Sequence, residues 1–389
     1  MLAMWVLVFH LVGWGRLTAA GTSSVLLTVD SWLQRLFMSH GETHPAVVVF
    51  IVLSGYCIHR NGCRLDAWST RRYAIKRVFR IWPVYVAAAL TGAGLHVLAT
   101  HQRPNGAIAL TRDTVITAKC MGVKLSAIAA FVPSLYKCGM QGNSPLVTVM
   151  VEMWLYVFYA LAAVFVLRRA GDRALTAIVV VGYCTALALA APNPTTWGWF
   201  FNGSFFGFLP YWWLGAAAIG CGTAMRRTGI AVGACLWVST LFVGGRSVPV
   251  AELHKLGLAL VACCVIANID AAHVKLPALL TTFGRSGYSL YAFHAPILIV
   301  LMAVGAGWPI VLGTAVAGGL VVYVVYERPL MVFGRSLADR EPEAINRASR
   351  RAPRAPDARP RRRPGPGRTS RPRGVRDRRS AATRVPRAA

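Results

Sequence analysis

A chain of 389 residues that is 56% hydrophobic and only 14% charged, with a mean hydropathy of +0.51, is too apolar for a soluble domain of its length. Its formal net charge of +28 is concentrated at one end: 17 Arg and 4 acidic residues lie between Arg340 and Ala389. Nine scattered cysteines, with no Cys-x-x-Cys pair and no His spacing suited to zinc, argue against a structural metal site, and no metal is expected.

Apolar runs of the length that a helix needs to cross a bilayer fall near residues 1–19, 45–59, 74–98, 145–167, 173–191, 203–222, 229–245, 252–269, 286–304 and 307–326. They predict an all-α integral membrane protein, a bundle of about ten transmembrane helices over residues 1–335, followed by a disordered Arg/Pro-rich tail over 336–389. The first run lacks a basic leader and a small-residue cleavage site, so it reads as a retained helix.

Basic residues mark the cytoplasmic connections. Arg60, Arg64, Arg71, Arg72, Lys76, Arg77 and Arg80 follow the second run, Arg168, Arg169 and Arg173 the fourth, and Arg226 and Arg227 the sixth. Both termini are then expected inside, in the inner (plasma) membrane. The connection from about Thr100 to Ser144 lies outside despite Lys119, Lys124 and Lys137, and is long enough to form short helices or a lid. It holds Cys120 and Cys138, which can pair if that compartment is oxidising. The tail has no aromatic residue interleaved with its arginines, so contact with anionic lipid headgroups is favoured over nucleic-acid binding.

Several polar side chains stand out from the apolar background. His10 lies inside the first run, where an ionisable group is costly unless it faces a protein interior; it is either a packing residue or a general base. Ser54 and Gly55 sit in the second, where a Ser-Gly pair allows close helix packing. Arg77 and Arg80 are three apart at the mouth of the third and share a face, a fork suited to a phosphate or to lipid headgroups. Glu152 is buried in the fourth run as either an interhelical partner or an acid, base or orienter for His10. Ser289, Tyr291 and His294 fall in the ninth run, and Glu327 closes the last. Counting rise along alternating helices, His10, Glu152 and His294 can share one depth.

Read together, Phe9-His10, Leu53-Ser54-Gly55-Tyr56, Arg77 to Pro83, Val147 to Tyr159 and Ser286 to Pro296 occur in the order of the motifs of the membrane-bound acyltransferase-3 family, which the chain resembles over residues 1 to about 330. The resemblance implies transfer of an acyl group, commonly acetyl, from acyl-CoA to a hydroxyl of a sugar or another small acceptor. It implies that His10 is the essential histidine, that Arg77 and Arg80 hold the coenzyme A phosphates, and that Glu152 is the carboxylate of the fourth motif. Ser54, Tyr291 and His294 are further candidates. Family members carry an Arg eleven positions before the histidine, a position that precedes Met1 here. The family's Trp-Ser is Val147-Thr148, and Ser286-Gly287-Tyr288-Ser289 interrupts its Ser-Tyr pair.

The expected partners are membrane lipid and a carbohydrate or glycosylated small-molecule acceptor, such as a surface polysaccharide, a lipid-linked oligosaccharide or a glycosylated metabolite. The abundance of Ala, Val, Arg and Gly points to a high-GC bacterium. A different class, a secondary transporter exporting a polar solute, fits the helix number, but no internal repeat or pair of interrupted helices supports it.

Overall fold

A computed structural model describes residues 2–15, 24–38, 43–62, 69–102, 117–244, 247–274 and 277–351. Among them every regular element is helical. In chain order the helices are α1 (Leu2–Gly15), α2 (Ser24–Phe37), α3 (Pro45–Gly62), α4 (Thr70–Gln102), α5 (Ala118–Ser126), α6 (Tyr136–Met140), α7 (Leu146–Ala162) and α8 (Arg168–Ala190). There follow α9 (Pro194–Gly203), α10 (Phe205–Ala217), α11 (Thr223–Leu241), α12 (Val248–Ala271), α13 (Ala278–Arg285), α14 (Gly287–Ala303), α15 (Trp308–Val322) and α16 (Arg328–Arg351). π-Helical turns, Ala163–Leu167 and Tyr323–Glu327, continue α7 and α15.

Each of the ten apolar runs contains a helix. Length and apolarity, however, single out four stretches able to cross a membrane: Thr70–Leu95, Leu146–Ala190, Val248–Ala271 and Trp308–Arg340. Leu2–Gly13, Pro45–Asn61 and Gly287–Ala303 are apolar but shorter. The all-helical membrane class therefore stands, whereas ten crossings do not follow from helix length. Leu146–Ala190 also bends, because Gly171 adopts φ 72°, a left-handed backbone that breaks the helix after Arg168 and Arg169.

The chain divides into two compact units, 1–341 and 342–389. The expected boundary at 335/336 falls inside α16, and in the first unit Ala338 is buried and Asp339 ion-paired. Of the second unit only helical residues 342–351 are described; most of the expected disordered tail, 352–389, lies outside the described residues.

The core is built where helices approach without side chains between them. A Cβ on Gly55 of α3 would collide with the Trp212 carbonyl of α10, and one on Gly215 of α10 with the Val52 carbonyl of α3. Trp212, Tyr85, Tyr159 and Tyr211 are among the largest fully buried side chains, and the Tyr159 ring lies 5.7 Å from that of Trp212. α14 packs against α1, α4 and α15, so residues from both ends of the chain meet.

The connection after α4 forms short helices packed on the bundle, as its length suggested. Thr117 caps α5 by accepting from the Cys120 amide (3.1 Å), and Cys120 and Cys138 are joined in a disulfide. Lys124 is buried and donates to the Asn143 carbonyl (3.0 Å), while Trp154 and Trp199 donate to the Ala127 and Ala129 carbonyls.

Candidate active site

Two polar centres lie in the bundle. The first joins α1 to α14: His10 Nδ1 is 2.8 Å from His294 Nε2, and the rings are 7° from parallel, which brings the bond into both ring planes. His294 Nδ1 is 2.7 Å from the Tyr291 carbonyl, which can only accept. His294 therefore carries its proton on Nδ1, and with both rings neutral its Nε2 lone pair accepts from His10 Nδ1–H. The basic lone pair of His10 is then on Nε2. This is the arrangement a general base needs, a proton-accepting nitrogen whose tautomer is fixed by a partner.

His44 adjoins this centre. Its Nδ1 accepts from the Ala46 amide (3.2 Å) at the start of α3, and its ring lies 4.5 Å from Phe9 and 5.2 Å from Trp5 between centroids. The local sequence gives His44 one signal, a His-Pro pair just before an apolar run.

The second centre is the Glu152 carboxylate. Thr148, Glu152 and Tyr156 recur every four residues, so they line one face of α7. Ser54 donates to Glu152 Oε1 (2.9 Å), Tyr156 donates to the same oxygen, and Trp212 Nε1 donates to Ser54 Oγ (3.3 Å). Within the Ser54-Gly55 pair the glycine makes the close helix contact and the serine binds the carboxylate. Arg77 stacks over Tyr73 and Tyr156, at 5.5 and 5.4 Å from their centroids. Arg80 is within electrostatic reach of Glu152 and of Glu327, which accepts from Ser289 Oγ at 2.5 Å.

The centres are neighbours at different depths. The Tyr291 hydroxyl donates to the Pro145 carbonyl (3.0 Å), Thr148 and Tyr291 line one small cavity, and Asn143 Nδ2 donates to the Ala292 carbonyl (2.8 Å). The start of α7 is thereby tied to the middle of α14, and Tyr288, one turn before Tyr291, is within electrostatic reach of Glu152, one turn after Thr148, so the two helices run antiparallel. Glu152 is four residues from Thr148 in one direction and His294 three from Tyr291 in the other, so they stand about 10 Å apart along the bundle axis. The expected common depth holds for His10 with His294 but not for Glu152. Its hydrogen bonds go to Ser54 and Tyr156.

A cavity of about 630 Å³ opens beside Ser54, Glu152 and Tyr156, and its walls carry Arg72, Lys76, Arg77, Arg80 and Arg335. Five cations around one cavity suit a polyphosphate-bearing ligand. Arg335, far along the chain, was not evident as a site residue. Asp339 partly neutralises the rim, 2.5 Å from Arg72 and 3.4 Å from Lys76. A second cavity of about 240 Å³, lined by apolar residues with Thr148 and Tyr291, shares Phe50 and Leu53 with the first. Among the described residues no group of three or more His, Cys, Asp or Glu could hold a metal ion.

The order of motifs and this architecture agree with the comparison to known families: the chain matches the acyltransferase-3 family, described as an acyltransferase domain, over residues 1–327 and belongs to it. No curated protein and no solved structure matches the chain.

Proposed function

We propose that this membrane acyltransferase moves an acyl group, acetyl in the simplest case, from acyl-CoA to a hydroxyl of a sugar in a surface polysaccharide, a lipid-linked oligosaccharide or a glycosylated metabolite. The reading places it in the inner (plasma) membrane with both termini cytoplasmic, so that the five-cation cavity faces the compartment that holds acyl-CoA. The Cys120–Cys138 disulfide supports an oxidising environment for the opposite side. The tail contacts anionic lipid rather than nucleic acid, and the chemistry uses no metal.

The observation that carries the reading is the chain from the Tyr291 carbonyl through His294 to His10, which leaves a basic Nε2 on His10. The phosphates of the donor sit against Arg77, Arg80 and Arg335, and its arm passes Ser54 and Glu152 toward His10. The acyl group lies in the smaller apolar cavity beside Tyr291. His10 Nε2 takes the proton of the acceptor hydroxyl as that oxygen attacks the thioester carbonyl. The carbon–sulfur bond breaks, the coenzyme A thiolate takes the proton back from His10, and an ester is left on the acceptor.

The test is transfer of label from radiolabelled acetyl-CoA to a glycan fraction in membranes containing the protein. Incorporation with wild type that is abolished by His10→Ala is the expected result. Incorporation that His10→Ala leaves unchanged overturns the reading.

A further inference from the structure

A third cavity differs in kind from the two above. It is a groove of about 530 Å³ between α4 and α7, floored by Leu125 and Ser126 at the end of α5. Its rim residues Val78, Trp82, Val157 and Leu161 are 51, 51, 47 and 53% exposed, and all four lie on stretches long and apolar enough to cross a membrane. In a bilayer this surface meets lipid rather than water.

The inner wall is where the groove departs from an ordinary lipid-facing surface. Arg77 lines both the groove and the five-cation cavity, held between Tyr73 and Tyr156. Its Nε is buried and makes no hydrogen bond among the described residues. A guanidinium nitrogen left without an acceptor at membrane depth is costly. An anion supplied by an occupant of the groove would satisfy it. From Arg77 to Trp82 the groove follows α4 for about 7 Å, room for the upper part of a hydrocarbon chain below a phosphate at Arg77.

We propose that the groove is a specific seat for an anionic phospholipid of the surrounding leaflet, with one acyl chain between α4 and α7 and its phosphate at Arg77. The seat does not depend on what the five-cation cavity binds. It brings a membrane lipid to the edge of that cavity, with one arginine shared between the two.

The experiment uses the full-length protein in nanodiscs containing phosphatidylglycerol with a photoactivatable diazirine in one acyl chain, and peptide mapping after illumination. Labelling of Val78, Trp82, Val157 or Leu161 is expected to exceed several-fold that of Val181 and Leu189, which are also exposed on a candidate crossing helix. Ala160→Trp on α7 and Ala74→Trp on α4 fill the groove from opposite walls, and each should remove the excess; elution as a monodisperse species and an intact Cys120–Cys138 bond certify the fold of whichever is used. Phosphatidylcholine with the same labelled chain should give less groove labelling, and Arg77→Gln should erase that difference. Equal labelling of the groove and of Val181 and Leu189 would mean ordinary annular lipid and overturn the seat. A groove excess that is the same for both headgroups, or a headgroup preference that survives Arg77→Gln, would overturn the role assigned to the phosphate.

Discussion

His10 and His294 are separated by 284 positions in sequence and by 2.8 Å in space, and the direction of the bond between them is dictated by a third atom, the Tyr291 carbonyl. If His294 orients His10, its loss should slow the chemical step without weakening donor binding. His10→Ala is expected to lower kcat by about 100- to 10,000-fold, the range of general-base contributions. His294→Gln, which can still offer an acceptor oxygen, should retain more activity than His294→Ala, with KM for the donor nearly unchanged in both. Steady-state kinetics in reconstituted membranes checks this; an effect confined to KM would mean that His294 acts in binding.

Neighbouring residues Ser54 and Gly55 should respond in opposite ways. Ser54→Ala removes a hydrogen bond to a buried carboxylate that keeps Tyr156, at a stability cost of about 1 kcal/mol, and its main effect should be on activity. Gly55→Ala introduces a Cβ into the Trp212 carbonyl, a backbone atom that cannot swing aside. Overpacking of this kind costs about 1–3 kcal/mol or more, so thermal unfolding in detergent should show the larger loss at Gly55.

Asp339 competes with any polyphosphate for Arg72 and Lys76. Asp339→Asn releases both cations to the cavity, so KM for the donor should fall a few-fold at low ionic strength, and the gain should shrink as salt screens the charges. A KM that is independent of Asp339 at low salt would show that these two cations do not contact the donor.

Much of this was legible in the sequence, and the limits have a physical cause. Apolar runs located the helices because burial and lipid exposure both demand hydrophobic side chains, and the same demand made His10, Glu152 and His294 conspicuous. Hydropathy reports that a polar group must be satisfied, not by which partner. Tyr156, one turn along the same face, is a local partner that the spacing offers Glu152, but nothing local to Glu152 says that Ser54 binds it, nor does anything local to His10 say that His294 serves it. Arg335 and Asp339 sit in a polar segment where charge is unremarkable, and only the packing of α16 along the start of α4, with Phe333 5.4 Å from Phe79, brings them to the cavity. Helix length alone does not fix the number of crossings, because α1, α3 and α14, at 14, 18 and 17 residues, are marginal lengths for spanning.

The small apolar cavity should set acyl length. Gly287 lines this cavity and a Cβ built there meets no neighbouring atom within 4 Å, so Gly287→Leu starts in open space and adds its bulk to the cavity wall. Transfer from butyryl- or hexanoyl-CoA should then fall relative to acetyl-CoA, and competition between labelled donors measures the ratio. An unchanged ratio would place the acyl group elsewhere.

Lys124 gives the protein a pH dependence of stability that is separate from catalysis. Burial lowers its pKa from 10.5 to about 7, since the charged ammonium is poorly solvated in its site beside the Asn143 carbonyl. Between those values the unfolded chain binds the proton that the folded one releases, so stability rises with pH across that window, and below about pH 7 the cost of burying the charge is fully present. The displacement corresponds to a few kcal/mol, at about 1.4 kcal/mol per pH unit. Unfolding temperatures measured from pH 6.5 to 9.5 should therefore climb for the wild type. Lys124→Met keeps the aliphatic stem and removes the titration, so its profile should be flatter and its advantage largest at the acidic end. A wild-type slope that survives in Lys124→Met would assign the pH dependence to another group.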